Sequence, residues 1–151
     1  ATAKNLDSTR PSGESDLLIK ALQGHYETEK TKQGVRIRWA SDTVFAPGKA
    51  EPTPGLVAEL ETLALYVNNY PYRAIRIEAF TDTSGNTASN LALSKKRAAR
   101  VREELIREGL DAKKIIAQGL GEIRPVTENE TAEGRKKNRR VEINVDTETS
   151  Q

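Results

Sequence analysis

Thr81-Asp82-Thr83-Ser84-Gly85, continuing into Asn90-Leu91-Ala92-Leu93-Ser94-Lys95-Lys96-Arg97-Ala98, is the stretch that sets the architecture. It follows Ala74-Ile75-Arg76-Ile77-Glu78-Ala79-Phe80, an apolar run with the alternation of a strand. Downstream, Leu91, Ala98, Val101 and Leu105 form the apolar stripe of a long helix. A strand therefore stops at an aspartate, a glycine turn follows, and a helix begins. Backbone N–H groups at such a junction are open to an anion. Asn90, Ser94 and Arg97 recur at helical spacing and share one face beside the stripe. A carboxylate, an amide and a guanidinium can thus converge at the top of a packed sheet. That set suits a ligand carrying both an ammonium and a carboxylate.

Working outward, Val35-Arg36-Ile37-Arg38-Trp39 alternates strictly and reads as an earlier strand. Residues 41–54 read as a loop holding Phe45, Pro47, Gly48 and Pro52. Thr53 caps a helix with Pro54 in its first turn and Leu56, Leu60, Leu63 and Val67 along one side. The second helix runs from about Thr87 to Glu108 and stops at Gly109. A short strand near 115–119, a helical turn over 131–137 and a last strand, Arg140–Val145, complete the pattern. In that last strand Val141, Ile143 and Val145 face inward, with Glu142 and Asn144 toward solvent. The order β-α-β-α-β-β predicts an α/β two-layer sandwich, a mixed sheet covered by helices on one face. Residues 1–33 are expected to form a disordered leader and a linker helix over 14–30, with Leu18 and Leu22 on one side and His25 exposed. The domain proper spans 34–146, and 147–151 is a polar tail.

Composition narrows the function. A net charge of +2 is too small to imply a polyanionic partner. The basic run Arg135–Arg140 leads into a strand without interleaved aromatics, so nucleic acid is not expected. The chain has no cysteine and one histidine, which leaves no thiol chemistry, no His-based triad and no multi-histidine metal site. The 81–85 turn lacks the Gly-Lys of a phosphate loop. Its Asp-Thr-Ser-Gly string occurs once, where an aspartic protease needs two carboxylates sharing a proton. No catalytic residue, metal or cofactor is expected. No apolar run reaches the roughly 18–20 residues of a membrane span. A chain starting at Ala1 reads as mature or trimmed, with any anchor outside it.

On the residues alone, each candidate has a plain alternative. Asp82 suits a turn as well as a ligand, since Asp bonds its own backbone two residues on. Arg97 is either a ligand group, a solvated helix arginine or a partner for Asp82. Asn90 can cap or tie a loop, Arg139 can form a structural ion pair, and Phe45 can be core.

The motif Thr81-Asp82-x-x-Gly85-x4-Asn90-x-x-Leu93-Ser94-x-x-Arg97-Ala98-x-x-Val101 resembles the signature of the OmpA-like peptidoglycan-binding domains, the type found in OmpA, Pal and MotB. Two further motifs match in order. One is Val44-Phe45-x-x-Gly48-x-Ala50-Glu51; the other runs from Gly119-x-Gly121-Glu122 through Asn138-Arg139-Arg140-Val141-Glu142. The resemblance implies a non-enzymatic module that holds peptidoglycan through the diaminopimelate of its stem peptide. Asp82 would take the ammonium and Arg97 the carboxylate of that residue. Asn90 and Arg139 would add contacts, Thr83 a backbone N–H, and Phe45 with Gly48 the opposite wall. Before binding, Asp82 and Arg97 are expected to pair. The resemblance further implies a Gram-negative periplasm, with the parent protein anchored at the outer membrane. A protein-interaction domain dimerising through the 14–30 helix is the second reading, and a wall-processing enzyme the third. The sequence departs from the family at Ala79 and Phe80, where Gly and His or Tyr are common. This difference bears on the rim of the pocket.

Overall fold

The computed structural model describes residues 10–147, with side chains from Leu17 onward. Of the leader expected over 1–14 and the tail expected over 147–151, residues 1–9 and 148–151 lie outside the described residues, while 10–14 are helical and Thr147 ends the last strand. The elements are α1 (Arg10–Gln23), β1 (Thr28–Lys30), β2 (Gly34–Ala40), α2 (Ser41–Val44), α3 (Pro54–Asn68), β3 (Tyr72–Phe80), α4 (Thr87–Arg107), β4 (Ile115–Gly121), α5 (Ala132–Asn138) and β5 (Arg140–Thr147). A short 3-10 turn, Ala112–Lys114, precedes β4. The sheet order is β1-β2-β5-β3-β4. Only β3 and β4 pair in parallel, joined by the α4 crossover; the other pairs are antiparallel.

Alternation places Val35, Ile37 and Trp39, Ile75, Ile77 and Ala79, and Val141, Ile143 and Val145 on the face that meets the helices. There they bury Leu56, Leu60 and Leu63 of α3 and Ala98, Val101 and Leu105 of α4. Each such leucine contributes about 1.5–3 kcal/mol of hydrophobic stabilisation. α3, α4 and α5 start where the sequence predicts. Thr53 Oγ1 accepts from Leu56 N at 3.2 Å, and Pro54 opens α3. Asn86 Oδ1 accepts from Ser89 N at 2.8 Å to open α4, and Thr131 Oγ1 accepts from Gly134 N at 2.9 Å to open α5. Gly119 lets α4 lie directly on β4: a Cβ there would stand 2.1 Å from Lys95 N. Gly121 N donates to Ser94 Oγ at 3.1 Å beside it.

The structure departs from the sequence reading in three places. The first helix covers Arg10–Gln23 rather than 14–30, and residues 28–30 form an edge strand. Leu18 and Leu22 join the core against α3, so that stripe is occupied within the chain. His25 lies past the helix end, where its Nε2 hydrogen-bonds Tyr66 Oη. The stretch 41–54 holds a helical turn, Ser41–Val44. Most consequential, the outward face of β5 is not solvated: Glu142 is 4 % exposed. Flanking arginines lie across it. Arg38 Nε donates to Glu142 at 3.0 Å, Arg36 Nε to Asn144 at 2.9 Å, and Arg76 chelates Asp146 at 3.0 and 2.9 Å. Arg140 donates to Glu142 at 2.8 Å and stacks 3.8 Å above Phe80. Phe80 thus belongs to this charged layer, while Ala79 faces the core.

Candidate functional site

Three connections meet at one end of the sheet: the 41–52 segment after β2, the 81–86 turn after β3, and the α5–β5 junction. Thr81 N donates to Gly121 O at 2.8 Å, fixing the end of β3 against β4. The next residue, Asp82, is 5 % exposed. Its Oδ1 accepts from Ser84 N at 2.7 Å and from the Ser84 hydroxyl, so the turn-forming role is realised. Its Oδ2 accepts from Arg139 Nη1. Burial pushes the Asp82 carboxyl up, but the hydrogen bonds from Ser84 and Arg139 more than offset it and hold the group below the usual carboxylate value.

Arg139 also chelates Asp42, with Nε to Oδ1 and Nη2 to Oδ2 both at 2.9 Å. These bonds lower the Asp42 carboxyl and, with Asp82, raise the already high value of Arg139. Asp42 went unnoticed in the sequence because it lies in a stretch that reads as plain loop. Its one signal was an acidic side chain just upstream of the Val44-Phe45 motif.

The expected Asp82–Arg97 pair does not form. Arg139 enters from the start of β5 and takes the free edge of Asp82, whereas Arg97 is drawn to the 45–52 turn. Gly48, at φ +70, supplies the left-handed residue of that turn. The guanidinium of Arg97 donates from Nε to Lys49 O at 2.8 Å and from Nη2 to Ala46 O at 3.3 Å, with its Cζ 4.7 Å from the Phe45 ring centroid. Arg97 is 6 % exposed and bonds no carboxylate among the described residues. Burial lowers its pKa, and the field of Asp42 opposes that. Asp42 therefore links the two halves of the cluster, bonded to Arg139 and attracting Arg97.

The remaining candidates fall around this set. Asn90 Nδ2 donates to Ser84 O at 2.6 Å and ties α4 to the turn. Thr83 is exposed, and its backbone N–H makes no hydrogen bond among the described residues. Phe45 is core on one side and underlies Arg97 on the other. The departure at Phe80 alters the charged layer of the sheet rather than the surroundings of Arg97.

The class of protein is an α/β sandwich, a helix-covered mixed sheet with charged side chains gathered on the loops at one end. The chain belongs to the OmpA family, a non-enzymatic one, whose model matches residues 44–139. It is 34% identical over 116 residues to the probable lipoprotein YiaD of Escherichia coli K12, covering 77% of this chain and 53% of that protein. It is 41% identical over 75 residues to the peptidoglycan-binding protein ArfA of Mycobacterium tuberculosis H37Rv, covering 50% of this chain and 23% of that one. The chain thus spans about half or less of these relatives' lengths. The cell wall anchor of the T6SS from Pseudomonas aeruginosa superposes with a TM-score of 0.74 at 26% identity, covering 94% of this chain and 100% of that one.

Proposed function

We propose that the domain binds peptidoglycan without cleaving it, holding the diaminopimelate of the stem peptide and so fastening an envelope protein to the wall. The observation that carries this reading is Arg97: a buried guanidinium bonded only to backbone carbonyls and an aromatic face. A largely buried cation without a bonded carboxylate is costly, and a ligand carboxylate would relieve that cost at the Nη1 edge, which makes no hydrogen bond among the described residues. Asp82 accepts three bonds of the roughly four a carboxylate can accept. The site left over suits an ammonium. Arg139 and Asn90 then hold Asp82 and the turn in place, and Thr83 N–H is a further donor. Relatives whose names include peptidoglycan binding and cell wall anchoring support the same reading. We infer the periplasm as the compartment, on a protein anchored at the outer membrane; likeness to a probable lipoprotein supports such an anchor.

Two or three charge-assisted contacts, less the cost of association, give an affinity of roughly micromolar to hundreds of micromolar. Titrating a diaminopimelate stem peptide calorimetrically into wild type, Asp82→Ala and Arg97→Ala tests the site. Each substitution is expected to weaken binding by about tenfold or more. A lysine-containing peptide, lacking the distal carboxylate, should bind wild type less well. Equal affinity across the three proteins would remove the proposed site.

A further inference from the structure

Beside the α5–β5 junction, a groove of about 500 Å³ opens over β1, β2 and α5. Its walls carry five cationic side chains against two carboxylates, with Val126 adding apolar surface. The arginines in it are already matched: Arg36 and Arg38 to Glu29, Asn144 and Glu142, and Arg140 to Glu142. Lys136 and Lys137, in the last turn of α5, are different. Both are exposed, and neither makes a hydrogen bond or ion pair with any described residue. The groove also adjoins the site. Ala40 and Arg140 line it, while Asp42, two residues after the first, and Arg139, next to the second, build the charge cluster. The charge of Lys136 is among those felt at Asp42.

We propose that this groove is a second subsite, in which Lys136 and Lys137 take carboxylate groups of the same wall polymer whose diaminopimelate sits at Asp82 and Arg97. The proposal rests on the peptidoglycan reading of the first site. The chemistry favours spaced single carboxylates. The free groups are two compact ammoniums rather than guanidinium forks shaped for bidentate phosphate. The carboxylates already in the groove keep its net charge too low for a dense polyanion. Once the first site is engaged, a neighbouring carboxylate is presented at high local concentration. Weak individual contacts then add to retention on polymer without raising affinity for a short peptide.

The test uses the full chain, wild type and Lys136→Glu/Lys137→Glu, with Lys136→Gln/Lys137→Gln as the milder pair. Each is measured for retention on insoluble wall sacculi and for calorimetric binding of a single diaminopimelate stem peptide. The Glu pair is expected to be retained roughly three- to tenfold less well at low salt, the Gln pair less affected. The difference should vanish at high salt, and short-peptide affinity should stay within about twofold. Equal retention of all three proteins on sacculi, or an equal loss for peptide and polymer, overturns the second subsite. Capture of wild type but not the Glu pair by phosphatidylglycerol vesicles, with sacculus retention unchanged, overturns it in favour of a lipid surface. Should the short peptide fail to bind wild type while sacculus retention still falls in the Glu pair, the first site is wrong and the groove stands.

Discussion

The open face of the sheet and the loop end of the domain are built from the same residue types, yet they treat charge in opposite ways. On the sheet face, Glu142 accepts from Arg140 and Arg38, Arg76 chelates Asp146, and Arg124 reaches Glu78 at 3.3 Å. The carboxylates sit beneath long side chains on neighbouring strands, so each buried carboxylate there has at least one arginine partner. At the loop end, Arg139 is shared between two carboxylates while Arg97 has none. Rigid strands in fixed register can saturate an ion layer. Loops meeting from distant parts of the chain leave one buried guanidinium without a bonded carboxylate among the described residues, the group that the proposed function assigns to a ligand.

The contrast can be broken most forcefully at Glu142. Replacing it with alanine strands the buried Arg140 guanidinium and should cost about 3–5 kcal/mol in urea unfolding, while the folded fraction keeps its peptide affinity. Acid titration gives a smaller effect at the loop end. Asp82 has a depressed folded pKa, so its contribution is present above the unfolded carboxylate value of about 3.9 and is lost as pH falls through the folded one. Wild type should therefore lose stability more steeply than Asp82→Asn on acidification below about pH 4. A parallel decline would assign no stabilising proton linkage to Asp82. The smallest change is expected at Asp42, whose side chain is 40% exposed. Alanine there should shift unfolding by less than about 1 kcal/mol. A loss rivalling that of Glu142 would erase the distinction between the two regions.

Much of this was visible in the sequence. The two strands read from alternation, Thr53-Pro54 as a helix start and Gly109 as a helix stop all stand where local chemistry puts them. The parallel β3–β4 pair follows from a long helix between two apolar runs. The partner of Asp82 was not legible, because helical spacing shows which residues share a face and not which of two arginines arrives first from elsewhere. Asp42 carries no periodic signal at all. The burial of Glu142 and Asn144 was missed for a related reason. Alternation assigns polar residues to the outer face, but three-carbon arginine stems from adjacent strands can roof that face. The shorter reach of α1 reflects the usual weakness of end signals, with Leu18 and Leu22 too few to tell a docked helix from a tether.

One topological fact has a temporal consequence. β5 lies between β2 and β3, yet it is the last strand of the described chain to be synthesised. A polypeptide emerging from its amino end has no middle for its sheet until residues 140–147 appear, so the long-range pairings close late and together. The cluster of Asp42, Asp82 and Arg139, whose shared arginine stands at the threshold of that strand, can assemble only once the strand's start has been made.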